Sequence, residues 1–322
     1  MSSLLKLEYF YVLCGVGMCF VGATAALDPH HPQRWGTGAF WAIIGIMFMA
    51  GHNLSDLVDG YLVLAVVALA ATGQVKASNR PDTRTREREA SAERLGNRLL
   101  IPALAIPAFA IAGSLILARL HFGSVWLLEP TKGAIISLCL GAAAAVLIAM
   151  PLTKAKVSIP LREGSQLILA VGWALILPQL LAALGGIFLE AGLGQMIADG
   201  ISQVLPVELP GVAVIAYCVG MAVFTIFLGN AFAAFAVVTG GIGLPLVVQR
   251  HGGNPAIMAG LGMLAGYCGT LVTPMAANFN LVPVILLELK DRNAVIKAQL
   301  PMAAVIFVAN GLILYFCVYH FK

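Results

Sequence analysis

Charge is scarce in this sequence: Asp, Glu, Lys and Arg make up 11% of its 322 residues, against about 25% in an ordinary soluble domain. That shortage excludes large water-facing domains. The six cysteines all lie in apolar segments and none forms a CxxC pair. Neither a disulfide framework nor a metal knuckle is expected, and the cysteines read as packing residues. HExxH, GxSxG and a glycine-rich loop ending in a Walker lysine are missing too, which leaves an intramembrane enzyme without an obvious nucleophile or metal. The expectation is a protein that is not an enzyme, with no catalytic residue, no metal and no organic cofactor. Net charge is only +4, and the basic residues cluster between apolar runs, not along an aromatic-studded face. No nucleic-acid site is expected.

What the sequence has instead is apolar length. Sixty per cent of the residues are hydrophobic and the mean hydropathy is +0.93. A spanning helix takes roughly 20 apolar residues, so the chain accommodates about eight or nine spans. The fold class expected is all-α, a polytopic transmembrane protein embedded in a lipid bilayer. Apolar runs at 5–27, 36–50, 57–73, 99–119, 133–150 and 164–186 read as spans, and a last one at 296–319. Lys6, the run from Tyr9 to Ala26 and the small residues "ATAA" imitate a cleavable signal peptide. The run is as long as a full span and Glu8 weakens its n-region, so it reads as an uncleaved helix. The mixed segment 188–206 suits a helix lying in the interface or an interrupted span end.

The loop 74–98 carries seven Lys or Arg against four Asp or Glu, which marks it as cytoplasmic. Counting outward places Lys154, Lys156 and Arg162 inside, together with Lys290, Arg292 and Lys297, provided that 210–248 enters and leaves by one face. Both termini then lie outside. The expected division is 1–163, an N-terminal set of transmembrane helices, and 164–322, a C-terminal transport repeat.

Two apolar segments of the C-terminal half are interrupted by polar residues. In "TIFLGNAFAAF", Gly229 breaks the helix and Asn230 supplies an amide that both donates and accepts. The 39-residue stretch 210–248 around it reads either as a re-entrant hairpin or as two full crossings. In "CGTLVTPMAANFNLVP", Thr273-Pro274 cannot continue a regular ladder, and Thr270, Asn278 and Asn280 add polar groups to the broken segment 256–289. A proline kink alone accounts for Pro274 but not for the other four. Paired interruptions of this kind mark the binding site of a secondary transporter, with half-helix N-termini suited to an anionic substrate. A third cluster, "AGHNLSDLVDGY", reads as a solvated external loop; folded inward, Asp56 or Asp59 with His52 would be the ion-coupling group.

The order of the amphipathic "GLGQMIADGISQVLP", the break "FLGNAFAAFAVVTGGIGLPLV" and "GMLAGYCGTLVTPMAANFNLVP" resembles the C-terminal repeat of the ion transporter superfamily of gluconate, citrate and dicarboxylate carriers. More closely, the chain resembles a family of bacterial membrane proteins described as one subunit of a two-subunit 5-oxoproline transporter. The resemblance implies that Gly229 and Asn230 form a hairpin tip, that Thr273, Pro274 and Asn278 lie in an unwound helix, and that together they bind an organic anion and often sodium. Where the superfamily tip commonly reads Ser-Asn-Thr, this chain reads Gly-Asn-Ala, so a sodium site would rest on backbone carbonyls and Asn230. No second pair of breaks matches in the N-terminal half, which implies a second membrane subunit carrying the other repeat. The function implied is secondary transport of a small carboxylate, 5-oxoproline first, coupled to sodium or protons, in the bacterial inner membrane. The alternative is a scaffold subunit whose polar breaks serve helix packing.

Overall fold

The computed structural model describes residues 3–76, 85–122, 125–204 and 206–321. Two compact units divide the chain, Met1–Gly172 and Trp173–Lys322. Among the described residues, eight helical segments are long and apolar enough to cross a membrane. The protein is an all-α, multi-pass membrane protein with almost no sheet.

The first unit runs β1 (Ser3–Leu5), α1 (Leu7–Ala26), α2 (Arg34–Ala50), α3 (Asp56–Ala71), α4 (Thr85–Leu95), α5 (Leu100–Leu115), β2 (His121–Phe122), β3 (Val125–Leu128), α6 (Gly133–Thr153) and α7 (Ser158–Val171). The helix α4 lies within the basic loop, of which residues 77–84 fall outside the described set. Glycine brings α1 and α2 together. A Cβ on Gly22 would sit 2.8 Å from the Gly38 carbonyl, and one on Gly15 would sit 2.7 Å from the Gly45 carbonyl. Only hydrogen side chains allow two backbones so close, and the pair buries Trp41 and Ala25 completely.

The strands carry topological information. β1 pairs with β3 in parallel, Ser3 opposite Trp126 and Leu5 opposite Leu128, and β2 joins β3 antiparallel. The segment after α5 therefore returns to the end of the unit from which α1 starts. Five helices lie between the two strands, and four of them, α1, α2, α3 and α5, are apolar, an even number of passages. At the opposite end, the Thr37 hydroxyl donates to the Gln74 carbonyl at 3.3 Å and accepts from the Lys76 amide. The start of α2 and the end of α3 thus share one face, although these helices, at 17 and 16 residues, are only about 25 Å long.

The second unit runs α8 (Leu177–Glu190), α9 (Leu193–Val204), α10 (Pro210–Leu228), α11 (Ala231–Val238), a π-helical continuation of α11 (Thr239–Arg250), α12 (Pro255–Val272), α13 (Ala277–Leu286) and α14 (Ala294–Val318). The apolar run expected as a span at 164–186 falls within one of the eight, Ser158–Phe188, but the helix inside it is interrupted. Gly172 adopts φ +63° and ψ −146°, a region open essentially to glycine alone, and the helix restarts at Leu177 just before Pro178. The core packs Val214, Tyr217 and Met221 of α10 against Val238, Ile242 and Val247, Met258 of α12 and Leu314 of α14. Tyr217 is fully buried, its ring filling the space left by Gly243 and Gly262, and its hydroxyl lies 2.9 Å from that of Thr239. Three glycines and Pro245, which lacks an amide, weaken α-helical register in the arm 239–250 and leave room for the wider π winding.

Both ends of the 210–250 hairpin lie together. Arg250 pairs with Glu208, His251 Nε2 bonds the Val207 carbonyl at 2.8 Å, and the Asn254 amide donates to Val318 at 2.8 Å. The arm α10, with 19 residues, is about 28 Å long, close to the roughly 30 Å of a hydrocarbon core.

Candidate functional site

At the far end of that hairpin three helix interruptions of the second unit meet. The first is the tip itself. Gly229 takes φ +69° as the C-cap of α10, and Asn230, extended at φ −143°, caps α11 through its own side chain, Oδ1 accepting from the Phe232 amide at 2.8 Å. The second is the 273–276 break. The α12 ladder stops at Thr273, in the extended region at φ −115° and ψ 135°, and α13 starts at Ala277 without a side-chain cap. The third is the start of α8, where the Pro178 carbonyl accepts from Asn230 Nδ2 at 3.1 Å.

Tip and break are locked together. The Thr273 hydroxyl donates to the Ile226 carbonyl at 2.8 Å, one turn before the tip, and accepts from the Met275 amide at 3.2 Å. A Cβ on Gly229 would lie 2.5 Å from the Met275 carbonyl oxygen. Asn280 closes the break from within: its Nδ2 donates to the Thr270 carbonyl at 2.8 Å and to the Thr273 carbonyl at 2.7 Å. Those carbonyls end α12, where proline has removed the next donor. Asn280 Oδ1 is buried without a hydrogen-bond partner.

The arrangement sorts the residues singled out by sequence. Gly229, Asn230, Thr270, Thr273, Pro274, Asn278 and Asn280 fall in one neighbourhood. Thr270, Thr273 and Asn280 are buried, and the Thr270 hydroxyl bonds back to Tyr267 at 2.6 Å. Asn230 is half-buried, while Pro274 and Asn278 are exposed. An aromatic row runs past them: Phe232 meets Tyr267 edge-on at 6.1 Å, and Tyr267 meets Phe279 at 6.1 Å. His52, Asp56 and Asp59 belong to the first unit. His52 and Asp56 are exposed, and Asp59 is half-buried with Oδ1 enclosed and without a hydrogen-bond partner. Both carboxylates sit in the first turn of α3, where the helix dipole favours negative charge.

Sequence reading passed over α8, treating its start as mid-span. The signal was present in "GWALILP", with a glycine six residues before a proline. Chemically, three helix N-termini, those of α8, α11 and α13, end in one place, each with a partial positive charge. Unwound backbone and neutral amides surround them. Among the described residues, no group of three or more His, Cys, Asp or Glu is placed to hold a metal ion.

Residues 8–319 match a family model described as protein of unknown function (DUF979). No curated protein and no solved structure matches the chain.

Proposed function

The chain belongs to the DUF979 family, and we propose that it is a subunit of a secondary active transporter for a small carboxylate. The observation that carries this reading is the convergence of the α8, α11 and α13 N-termini at the tip of the 210–250 hairpin, with the Asn230 amide between them. Helix N-termini aimed at one point suit an anion, and broken helices meeting deep in an apolar protein are the setting in which transporters hold substrates. Neutral amides stabilise a carboxylate without a buried ion pair, whose desolvation is costly. The substrate would lie against Asn230 and the exposed Asn278, with Thr270, Thr273 and Asn280 holding the backbone behind them.

The hairpin is taken as a re-entrant element in this reading, its tip meeting the 273–276 break; with two full crossings the same tip would lie at the opposite face. The resemblance of its motifs to the two-subunit carriers makes 5-oxoproline the first substrate to test and the bacterial inner membrane the setting. Sodium or protons would be the coupling ion, and a second membrane subunit would complete the site. A second reading, a scaffold that transports nothing, draws on the hydrogen bonds of Thr270, Thr273 and Asn280, which all run to the backbone.

Uptake of labelled 5-oxoproline into vesicles with this chain, with a candidate partner subunit, and with both, under imposed sodium or proton gradients, tests the proposal. Saturable uptake that Asn230→Ala and Asn278→Ala abolish in a folded complex is the expected result. If both variants leave uptake and binding unchanged, the site is elsewhere; if they lower only assembly and thermal stability, the scaffold reading holds.

A further inference from the structure

Three aromatic rings stand beside the tip and the break of the second unit, each brought there by a different helix. Phe232 of α11 follows the Asn230 cap, and its amide donates to Asn230 Oδ1. Tyr267 of α12 lies one turn before Thr270, whose hydroxyl bonds its carbonyl. Phe279 of α13 stands between Asn278 and Asn280. The ring centroids are 6.1 Å apart in both contacts and the planes are inclined by 88° and 59°, so no ring lies flat on its neighbour. This row is not core. Phe232 is 61% exposed, and Tyr267 and Phe279 are half-buried. Among the described residues the Tyr267 hydroxyl has no hydrogen-bond partner, although a tyrosine hydroxyl drawn out of water usually finds one. The surroundings carry no side-chain charge: 177–189, 210–249 and 255–287 contain no Asp, Glu, Lys, Arg or His.

Resting on the transporter reading of this site, we propose that the aromatic row makes it selective for a monocarboxylate carried on a small flat ring, with the Tyr267 hydroxyl bonding a polar group of that ring. The limit of one carboxylate follows from the charges. Each helix N-terminus offers about half an elementary charge, so those of α8, α11 and α13 together match one carboxylate, and no Lys, Arg or His of these segments is there to offset a second. The preference for a ring follows from shape. Inclined aromatic rings offer faces and edges to a flat ligand, which gains offset or edge-on contact at centroid distances of about 4.5–7 Å. A short open-chain acid brings little surface to such a wall. The polar group follows from Tyr267, whose hydroxyl both donates and accepts. A ligand without a partner for it leaves it unpaired once water is displaced, and a site built to make a hydrogen bond rejects a molecule that lacks it more strongly than a pocket rejects a missing methylene.

The test is competition. Uptake of labelled 5-oxoproline and of labelled lactate is measured in vesicles holding the full chain, with its partner subunit where uptake requires it, against unlabelled 5-oxoproline, cyclopentanecarboxylate, lactate and succinate. 5-Oxoproline should compete at about one tenth the concentration of cyclopentanecarboxylate, the scale of one hydrogen bond. Cyclopentanecarboxylate should in turn outcompete lactate, and succinate should be weakest. Tyr267→Phe should bring 5-oxoproline and cyclopentanecarboxylate to within about twofold of each other, and Phe232→Leu with Phe279→Leu should erase the advantage of cyclopentanecarboxylate over lactate. Ratios of competitors measured in one preparation do not depend on how much of a variant folds. Lactate competing as well as cyclopentanecarboxylate, succinate competing best, or a ratio indifferent to Tyr267→Phe would each overturn the proposal while the site remained a carboxylate site. Failure of every carboxylate to bind or enter would overturn the transporter reading itself, and the proposal with it.

Discussion

Gly229 is the residue on which the second unit's polar centre turns. Its φ of +69° costs an alanine about 1–2 kcal/mol, and the Met275 carbonyl occupies the space that a Cβ would need. Gly229→Ala should therefore lower the melting temperature and separate the tip from the break. Gly260→Ala, with open space around it, should be neutral, and equal effects would refute the packing. A pH effect is expected between the last two helices, where Asp291 accepts from the Asn293 amide and from Lys297 Nζ at 2.7 Å. The hydrogen bond from Lys297, then that from Asn293, hold its carboxyl below the ordinary 3.8. A depressed acid stabilises the fold above its unfolded value and loses that contribution as pH falls through the lowered one. The melting difference between the native chain and Asp291→Asn should thus be constant well above pH 3.8, shrink as pH falls below it and vanish only below the lowered value. The break at Gly229 and Asn230 was legible in the sequence because glycine is a helix stop signal and the asparagine after it a helix start signal. The different fates of Asn278 and Asn280 were not. Two residues apart on a helix they face about 200° away from each other, so which one turns inward depends on where α13 begins.

Among the elements, the α1 and α2 pair makes the sharpest prediction. Gly22→Leu must force the Gly38 carbonyl away, at about 1–3 kcal/mol for an overpacked contact, whereas a Cβ at the exposed Gly17 meets nothing within 4 Å, so Gly17→Leu has open space to start into. Circular-dichroism melting in detergent should fall for the first and hold for the second. Most spans were readable because apolar length is a direct consequence of bilayer thickness. Hydropathy averages over a window, however, and cannot register a break whose residues are themselves apolar. "GWALILP" is such a case, so the α7 and α8 segments read as one span although Gly172 divides them. In "TGGIGLPLVVQR" the glycines and proline announce an irregular helix, but not that the Tyr217 ring lies against Gly243.

At the largest scale, charge counting and strand pairing agree for the first unit on one point, that the chain before α1 and the chain after α5 share a face. Basic loops place 74–98 on one side of the membrane, and the β1–β3 ladder places the N-terminal strand with the segment after α5. In a cysteine-free background, Ser3→Cys and Glu129→Cys should react with an impermeant thiol reagent from one side, and Lys76→Cys and Lys156→Cys from the other. Reaction of Ser3→Cys and Glu129→Cys from opposite sides would discard the scheme. What sequence could not reveal was that ladder, because its strands are three and four residues long and pair across more than a hundred intervening positions. It also sets a clock. At about 5–20 residues per second, the ribosome needs on the order of 6–25 seconds to travel from Ser3 to Trp126. For that interval the first strand has no mate, and the α1 and α2 pair must settle in the bilayer before the N-terminal edge can close.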